Sequence, residues 1–223
     1  MNVHSHYGRP AKYLQEGALL SQSEVSKFKR PPKDLRDQAR RDQIVAAARR
    51  CVVRHGFHGA SMAEIASAAQ MSVGQIYRYF PNKEAIVHAI VERIVAQRLL
   101  EMLEVGASQE DVPSLLAQQL AGRLAEERRE DQILMLEVVA ESTRNVAVAE
   151  IVRQADQRLH DQAATKFLHD HAGFDREEAL RRVELLATLF EGSILRSVAG
   201  RRSEVSKPSI GLYRDLIARI LSP

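Results

Sequence analysis

The stretch from Ser61 to Lys83 holds the side chains best equipped for recognition chemistry: Ser61, Ser72, Val73, Gly74, Gln75, Tyr77, Arg78, Tyr79 and Lys83. A glutamine amide can bond adenine in bidentate fashion, a valine can meet a thymine methyl, and glycine allows close approach of backbone to a polyanion. Ser61, Tyr77, Tyr79 and Lys83 suit phosphate, a contact that fixes register without reading sequence. Arg78 stands on the same outward side. Ile65, Met71, Ile76 and Phe80 are interleaved at helical spacing and are expected to point inward. Duplex DNA is the partner this pattern implies.

The elements that would position these residues are written in capping signals. Ser61-Met-Ala-Glu64 and Ser72-Val-Gly-Gln75 are both capping boxes, in which the serine hydroxyl and the fourth side chain satisfy each other's backbone N–H groups. They open two short helices separated by a tight turn, the arrangement in which a second helix enters the major groove while the first crosses the backbone. Ahead of them, Ile44, Ala48, Cys51, Val52 and His55 form one stripe of an amphipathic helix that ends at Gly56. Behind them, Pro81-Asn82 starts a long helix from Lys83 to about Val105, with Ile86, Ala89, Ile90, Ile94, Leu99 and Leu103 on its inner side. Further helices are expected at 112–129, 131–144, 146–171, 175–199 and 207–221. Asp175 and Glu178 read as a third capping box, and Gly173 and Gly200 as C-terminal caps. Strand alternation, hairpin dipeptides and repeats are absent, so the fold class is all-α.

Charge separates the ends of the chain. Residues 1–83 carry 14 Lys and Arg against 6 Asp and Glu, and the remaining residues 18 against 23. A polyanion suits the front only. With 45% hydrophobic and 27% charged residues the chain has a globular composition, and its apolar runs are too short to span a membrane. The lone Cys51 and the lack of a signal-like leader make the cytoplasm the expected location.

The residues Gly56-Phe57, Ala60-Ser61-Met62-Ala63-Glu64-Ile65-Ala66 and Met71-Ser72-Val73-Gly74-Gln75-Ile76-Tyr77-Arg78-Tyr79-Phe80-Pro81-Asn82-Lys83-Glu84 resemble the DNA-binding domain of TetR/AcrR transcriptional regulators over about residues 38–90. The resemblance implies a homodimeric repressor, released from its operator by a small molecule held in a divergent C-terminal helical domain. The chain departs from the family in its basic arm of about 36 residues, which is either a solvated tail or an extension adding phosphate or minor-groove contacts. Three segments are expected: an arm at 1–36, a three-helix DNA-binding module at 37–83, and a helical effector-binding and dimerisation domain at 84–223.

In that last domain Glu137 and Glu141 sit one turn apart among apolar residues. With Leu99 and Leu103 they are candidates to line a cavity for a lipophilic cation or drug; the alternative is internal pairing with a base such as Arg98 or Arg144. Leu186, Phe190, Ile194, Tyr213, Leu216 and Ile217 are candidates for a four-helix interface between two copies. A twofold dimer implies an operator of approximate inverted symmetry. His4-Ser-His6 and His169-Asp-His171 lack the company a metal site needs, and Glu84 and His88 have the wrong spacing for a di-iron bundle. Cys51 reads as a small core residue. No nucleophile elbow, phosphate loop or zincin motif is present, so no catalysis, metal or cofactor is expected. The readings set against a ligand-responsive regulator are a constitutive DNA-binding protein with a filled core, and a helical enzyme or lipid-binding bundle.

Overall fold

The computed structural model describes residues 32–107, 111–121, 129–171, 173–200 and 207–222. Packing divides the chain into two units, 1–38 and 39–223. Of the first only residues 32–38 are described, so the basic arm expected at 1–36, with His4 and His6, lies almost wholly outside the described residues.

Every regular element among the described residues is an α-helix: α1 (Lys33–Gly59), α2 (Met62–Ala68), α3 (Val73–Tyr79), α4 (Lys83–Ala107), α5 (Val112–Leu120), α6 (Arg129–Ser142), α7 (Val146–Asp170), α8 (Arg176–Val198) and α9 (Lys207–Leu221). No helix among them is long and apolar enough to cross a membrane. The helix expected at 112–129 is seen as α5 up to Leu120, and residues 122–128 lie outside the described part. The boxes at Ser61 and Ser72 are formed with both reciprocal bonds. That at Asp175 is only half made. Asp175 Oδ1 accepts from the Glu178 N–H at 2.8 Å, but the Glu178 carboxylate turns instead to Arg181 and Arg182.

The first core is built where α1, α2 and α3 converge. Ile44, Val45, Ala48, Cys51 and Val52 of α1 meet Ile65, Ile76 and Phe80, all under 7% exposed. Burying each of the large side chains contributes about 1.5–3 kcal/mol. His55, expected on this stripe, is an exception: its ring is half exposed and lies 3.6 Å from Glu64. Cys51 is buried, and burial pushes its thiol pKa up, which suits a packing residue rather than a reactive thiolate.

This core does not end at Lys83. Ile86, Ile90 and Ile94 of α4 and Leu134 of α6 belong to it. The valines one residue further on, Val87, Val91 and Val95, belong to a second core with Phe57, Val138, Val148 and Ala155. Two stripes of period four on one helix therefore sit in two different cores. A bidentate pair between Arg158 of α7 and Glu92 of α4 braces the second, and it holds the Glu92 carboxyl below its usual pKa. Beyond these, α7 and α8 enclose Ala164, Phe167, Ala179 and Val183, while α5 and α9 close over Ala117, Leu120 and Ile217.

One backbone position is reserved for glycine. Gly56 interrupts α1 at φ 71°, ψ 172°, a region essentially closed to other residues, and a Cβ there would stand 3.2 Å from Glu137 Oε2. Gly56→Ala is expected to destabilise the protein by about 1–3 kcal/mol. Chemical denaturation of the two proteins at equal m-value checks this.

Candidate nucleic-acid interface

The candidate recognition residues of α2 and α3 are held by short-range bonds. Ser61 Oγ accepts from the Glu64 N–H at 3.2 Å and Glu64 Oε2 accepts from the Ser61 N–H at 2.9 Å. At the second helix Ser72 Oγ accepts from the Gln75 N–H at 3.2 Å, and Gln75 Oε1 accepts from the Ser72 N–H at 2.8 Å. The first box, with further help from His55 and Lys83, draws the Glu64 carboxyl below its usual pKa. Between the helices, Gln70 takes a left-handed conformation at φ 54°. Its N–H donates to Ser67 O and that of Met71 to Ala66 O, both at 3.0 Å, which is the paired closure of a Schellman turn with glutamine in glycine's usual place.

A long-range set of bonds fixes the pair against α1. Arg41 Nη1 donates to Tyr79 O at 2.6 Å and its guanidinium lies 4.2 Å from the centre of the Phe80 ring. Gln43 Nε2 donates to Ala69 O at 2.6 Å, and Arg50 Nη2 to Ala68 O at 3.4 Å. Polar side chains of α1 thus cap the C-terminal carbonyls that α2 and α3 cannot satisfy internally. Sequence reading did not single out Arg41, Gln43 or Arg50 for this. Their targets lie 18 to 38 residues away, and only the three-helix packing brings them together.

With Ile76 and Phe80 anchored inside, Val73, Gly74, Gln75, Tyr77 and Arg78 are exposed on α3, Tyr77 to 51%. No neighbour comes within 4 Å of a Cβ built on Gly74. Ser61 and Ser72 are also exposed, and each hydroxyl, having accepted its cap bond, keeps a proton to donate.

Three expected recognition residues are placed differently. Tyr79 is half-buried, its ring packed against the first core, so it is not part of the outward row. The Gln75 oxygen is committed to its cap, leaving the amide N–H groups rather than the bidentate pair that adenine needs. Lys83 turns inward: its ammonium donates to Phe57 O and sits 4.0 Å from the centre of the Phe57 ring. Burial pushes the Lys83 pKa down, and Glu141, Glu84 and Glu64 counter it. This lysine fastens α4 to the end of α1.

Glu137 and Glu141 belong to the same fastening. The Phe57 N–H donates to Glu137 Oε2 at 3.0 Å. Glu141 is 4% exposed, with Arg144 Nε at 2.7 Å and His58 Nδ1 at 3.3 Å. Asp131, earlier on α6, is paired with Arg49 of α1. Neither glutamate lines the cavity between the C-terminal helices or the cleft beside it; among the described residues both are engaged with the end of α1.

A cavity of about 610 Å³ does exist in the C-terminal half, with Met102, Leu116, Phe167, Leu186, Phe190 and Ile194 among its walls. Leu99 is not on it, being packed into the second core one helical face away, and Leu103 is 62% exposed. The six residues expected at a dimer interface also divide. Ile217 is wholly buried in its own chain, Tyr213 packs beside it under α5, and Leu186, Phe190 and Ile194 face the cavity. Only Leu216 is exposed, at 41%, in company with Leu185, Leu195 and Leu212. Among the described residues no cluster of His, Cys, Asp and Glu has the arrangement of a metal site. Glu84 and His88 take other partners, Asn145 at 3.3 Å and Glu92 at 3.4 Å.

A capped helix pair, oriented by a third helix and followed by a helical bundle, is a helix-turn-helix architecture. The profile described as "Bacterial regulatory proteins, tetR family" matches residues 44–90. The regulator UidR of Escherichia coli K12 is 31% identical over 137 residues, 58% of this chain and 65% of that protein, just under two thirds of its length. Among solved structures, Salmonella enterica GusR superposes with a TM-score of 0.64 at 24% identity, over 82% of this chain and 95% of its own. Bacillus subtilis FadR in complex with stearoyl-CoA gives 0.59 at 18%, over 81% and 97%. These relatives are regulators, and residues 44–90 of this chain are similar to the TetR family of bacterial regulatory proteins.

Lys83→Ala is expected to lower stability by about 2 kcal/mol, since a charge-assisted hydrogen bond and a cation–ring contact are both lost. Thermal unfolding without DNA checks this; an unchanged melting temperature would return Lys83 to a role on phosphate.

Proposed function

We propose that this protein is a DNA-binding transcriptional regulator that acts as a homodimer on a roughly twofold-symmetric operator, represses, and is released by a small molecule. The observation that carries the reading is the face of α3. Ile76 and Phe80 fix the helix from within, and the opposite side presents Val73, Gly74, Tyr77 and Arg78 unencumbered by packing. Val73 and the Gly74 backbone suit base edges, Gln75 supplies N–H donors, and Tyr77, Arg78 and the hydroxyls of Ser61 and Ser72 suit phosphate. Transcriptional regulators of similar fold hold small molecules, stearoyl-CoA in Bacillus subtilis FadR for one. The cavity supports an effector here rather than a filled, constitutive core.

Dimerisation is assigned to the exposed face of α8 and α9, with Leu185, Leu195, Leu212 and Leu216 beside Gly192, where no atom stands within 4 Å of an added Cβ. Such a row of leucines on neighbouring helices suits a four-helix contact with a second copy. Two half-sites of DNA have a fixed separation, about 34 Å for one helical turn. A ligand that prefers the wrongly spaced dimer lowers operator affinity by its preference.

Gly74→Leu separates binding from folding. Glycine is a poor helix former and the site is open, so the variant is expected to be at least as stable as the parent. A leucine there blocks the approach of α3 to a groove, and affinity for DNA flanking the gene is expected to fall about tenfold or more in a gel-shift assay; equal affinity would refute the docking of α3. The double substitution Leu195→Glu, Leu212→Glu is expected to halve the mass in sedimentation equilibrium and to weaken operator binding with it.

A further inference from the structure

One polar group on the cavity wall has an unmet need. Gln132 lines the cavity, and its side-chain oxygen is the one buried side-chain polar atom among the described residues that has no hydrogen-bond partner. A buried acceptor without a donor is costly, and a ligand that brings one removes the cost. Next to it Asp131 also lines the wall. Its partner Arg49 lies in an adjoining cleft of about 500 Å³ that shares Ile94, Gln97, Glu101 and Asp131 with the cavity.

The wall has a sign as well. It carries the carboxylates of Glu101, Asp131, Asp156, Asp170 and Glu191 against two permanent cations, one of which, Lys166, is 2.6 Å from Asp170. An anionic ligand would enter an excess of negative charge. The remaining surface is largely aliphatic and aromatic.

We propose that this cavity takes an apolar molecule ending in a protonated primary amine, whose ammonium donates to Gln132 Oε1 and competes with Arg49 for Asp131. The proposal rests on the cavity's being the effector site. A primary ammonium offers three N–H donors, enough for both acceptors. A quaternary ammonium has the same charge and no donor, so it leaves Gln132 unsatisfied. Asp131 and Gln132 sit in the first turns of α6, whose later residues Glu137 and Glu141 grip the end of α1. Loss of the Arg49 pair therefore loosens the cavity-lining helix from the helix that orients α2 and α3.

The test uses the full chain without DNA and four probes of one length, decylamine, decyltrimethylammonium, decanol and decanoate, in titration calorimetry below their micelle concentrations. Decylamine is expected to bind most tightly and decanoate least. Gln132→Leu is expected to weaken decylamine about tenfold, the order of one charge-assisted bond, and to leave decyltrimethylammonium unchanged. Arg49→Met supplies the sharper readout. If Arg49 competes with the ammonium, its removal tightens decylamine severalfold and leaves decanol alone, by reciprocity of coupling; structural damage would weaken both. Tightest binding of decanoate, or insensitivity of decylamine to Gln132→Leu and Arg49→Met, overturns the proposal while the reading as an operator-binding regulator stands on its gel shift. Failure of all four probes to bind overturns the proposal together with the assignment of the cavity to an effector.

Discussion

The structure depends on α4 belonging to two cores at once. Its isoleucines at 86, 90 and 94 complete the core beneath α2 and α3, and its valines at 87, 91 and 95 complete the core against α6 and α7. Successive residues of a helix point about 100° apart, so the two stripes face different neighbours along the same three turns. Turning or sliding α4 to improve one contact spoils the other. Cores packed to crystal-like density resist continuous deformation and change by discrete repacking. The module of α1 to α3 and the bundle therefore share a structural member, and a change in one has a mechanical route to the other.

A second constraint acts where α1 ends. Phe57 is held on its N–H by Glu137, on its carbonyl by Lys83 and on its ring face by the same ammonium. Such an approach of α6 to the backbone is possible because residue 56 has no side chain and takes a conformation reserved for glycine. Glu141, almost fully buried, would be costly alone and is compensated by Arg144 and His58. The carboxylates expected to suit a cationic ligand are thus structural, with partners at the end of α1 and, for Glu141, Arg144 as well.

Local chemistry was the legible part of the sequence. The two capping boxes, the inward Ile65, Ile76 and Phe80, the helical breaks and the all-α class all follow from interactions spanning four residues or fewer, and the structure has them. What failed needed knowledge of neighbours. Lys83 and Tyr79 look outward by type, but the direction of a side chain at the end of a short helix depends on what packs there. Leu99 and Leu103 were assigned to one inner face of α4, whereas that helix is buried on two and exposed at its far end. Ile217 and Phe190 are apolar on helices that are apolar on several sides, and only the position of α5 decides which side is already covered. Gln75 had two plausible uses, and the nearer one, its own N-cap, engages its oxygen.

Magnitudes limit how the bundle can act on α3. The Arg49 and Asp131 side chains are 22% and 33% exposed, and a pair so placed is worth no more than about 1 kcal/mol. Breaking it alone shifts an equilibrium by a factor of about five. Full reversal of a two-state balance, from 1:99 to 99:1, takes about 5.5 kcal/mol of differential binding. The difference has to come from contacts that change together, and α6 is a single helix carrying Asp131, Glu137 and Glu141 in sequence. If it moves as a body, the charge-assisted bond from Phe57 and the pairing of a buried glutamate are altered along with the exposed bridge, and these are individually worth more. The release proposed above would therefore need a displacement of α6 against α1, with the Arg49 bridge as its most accessible edge.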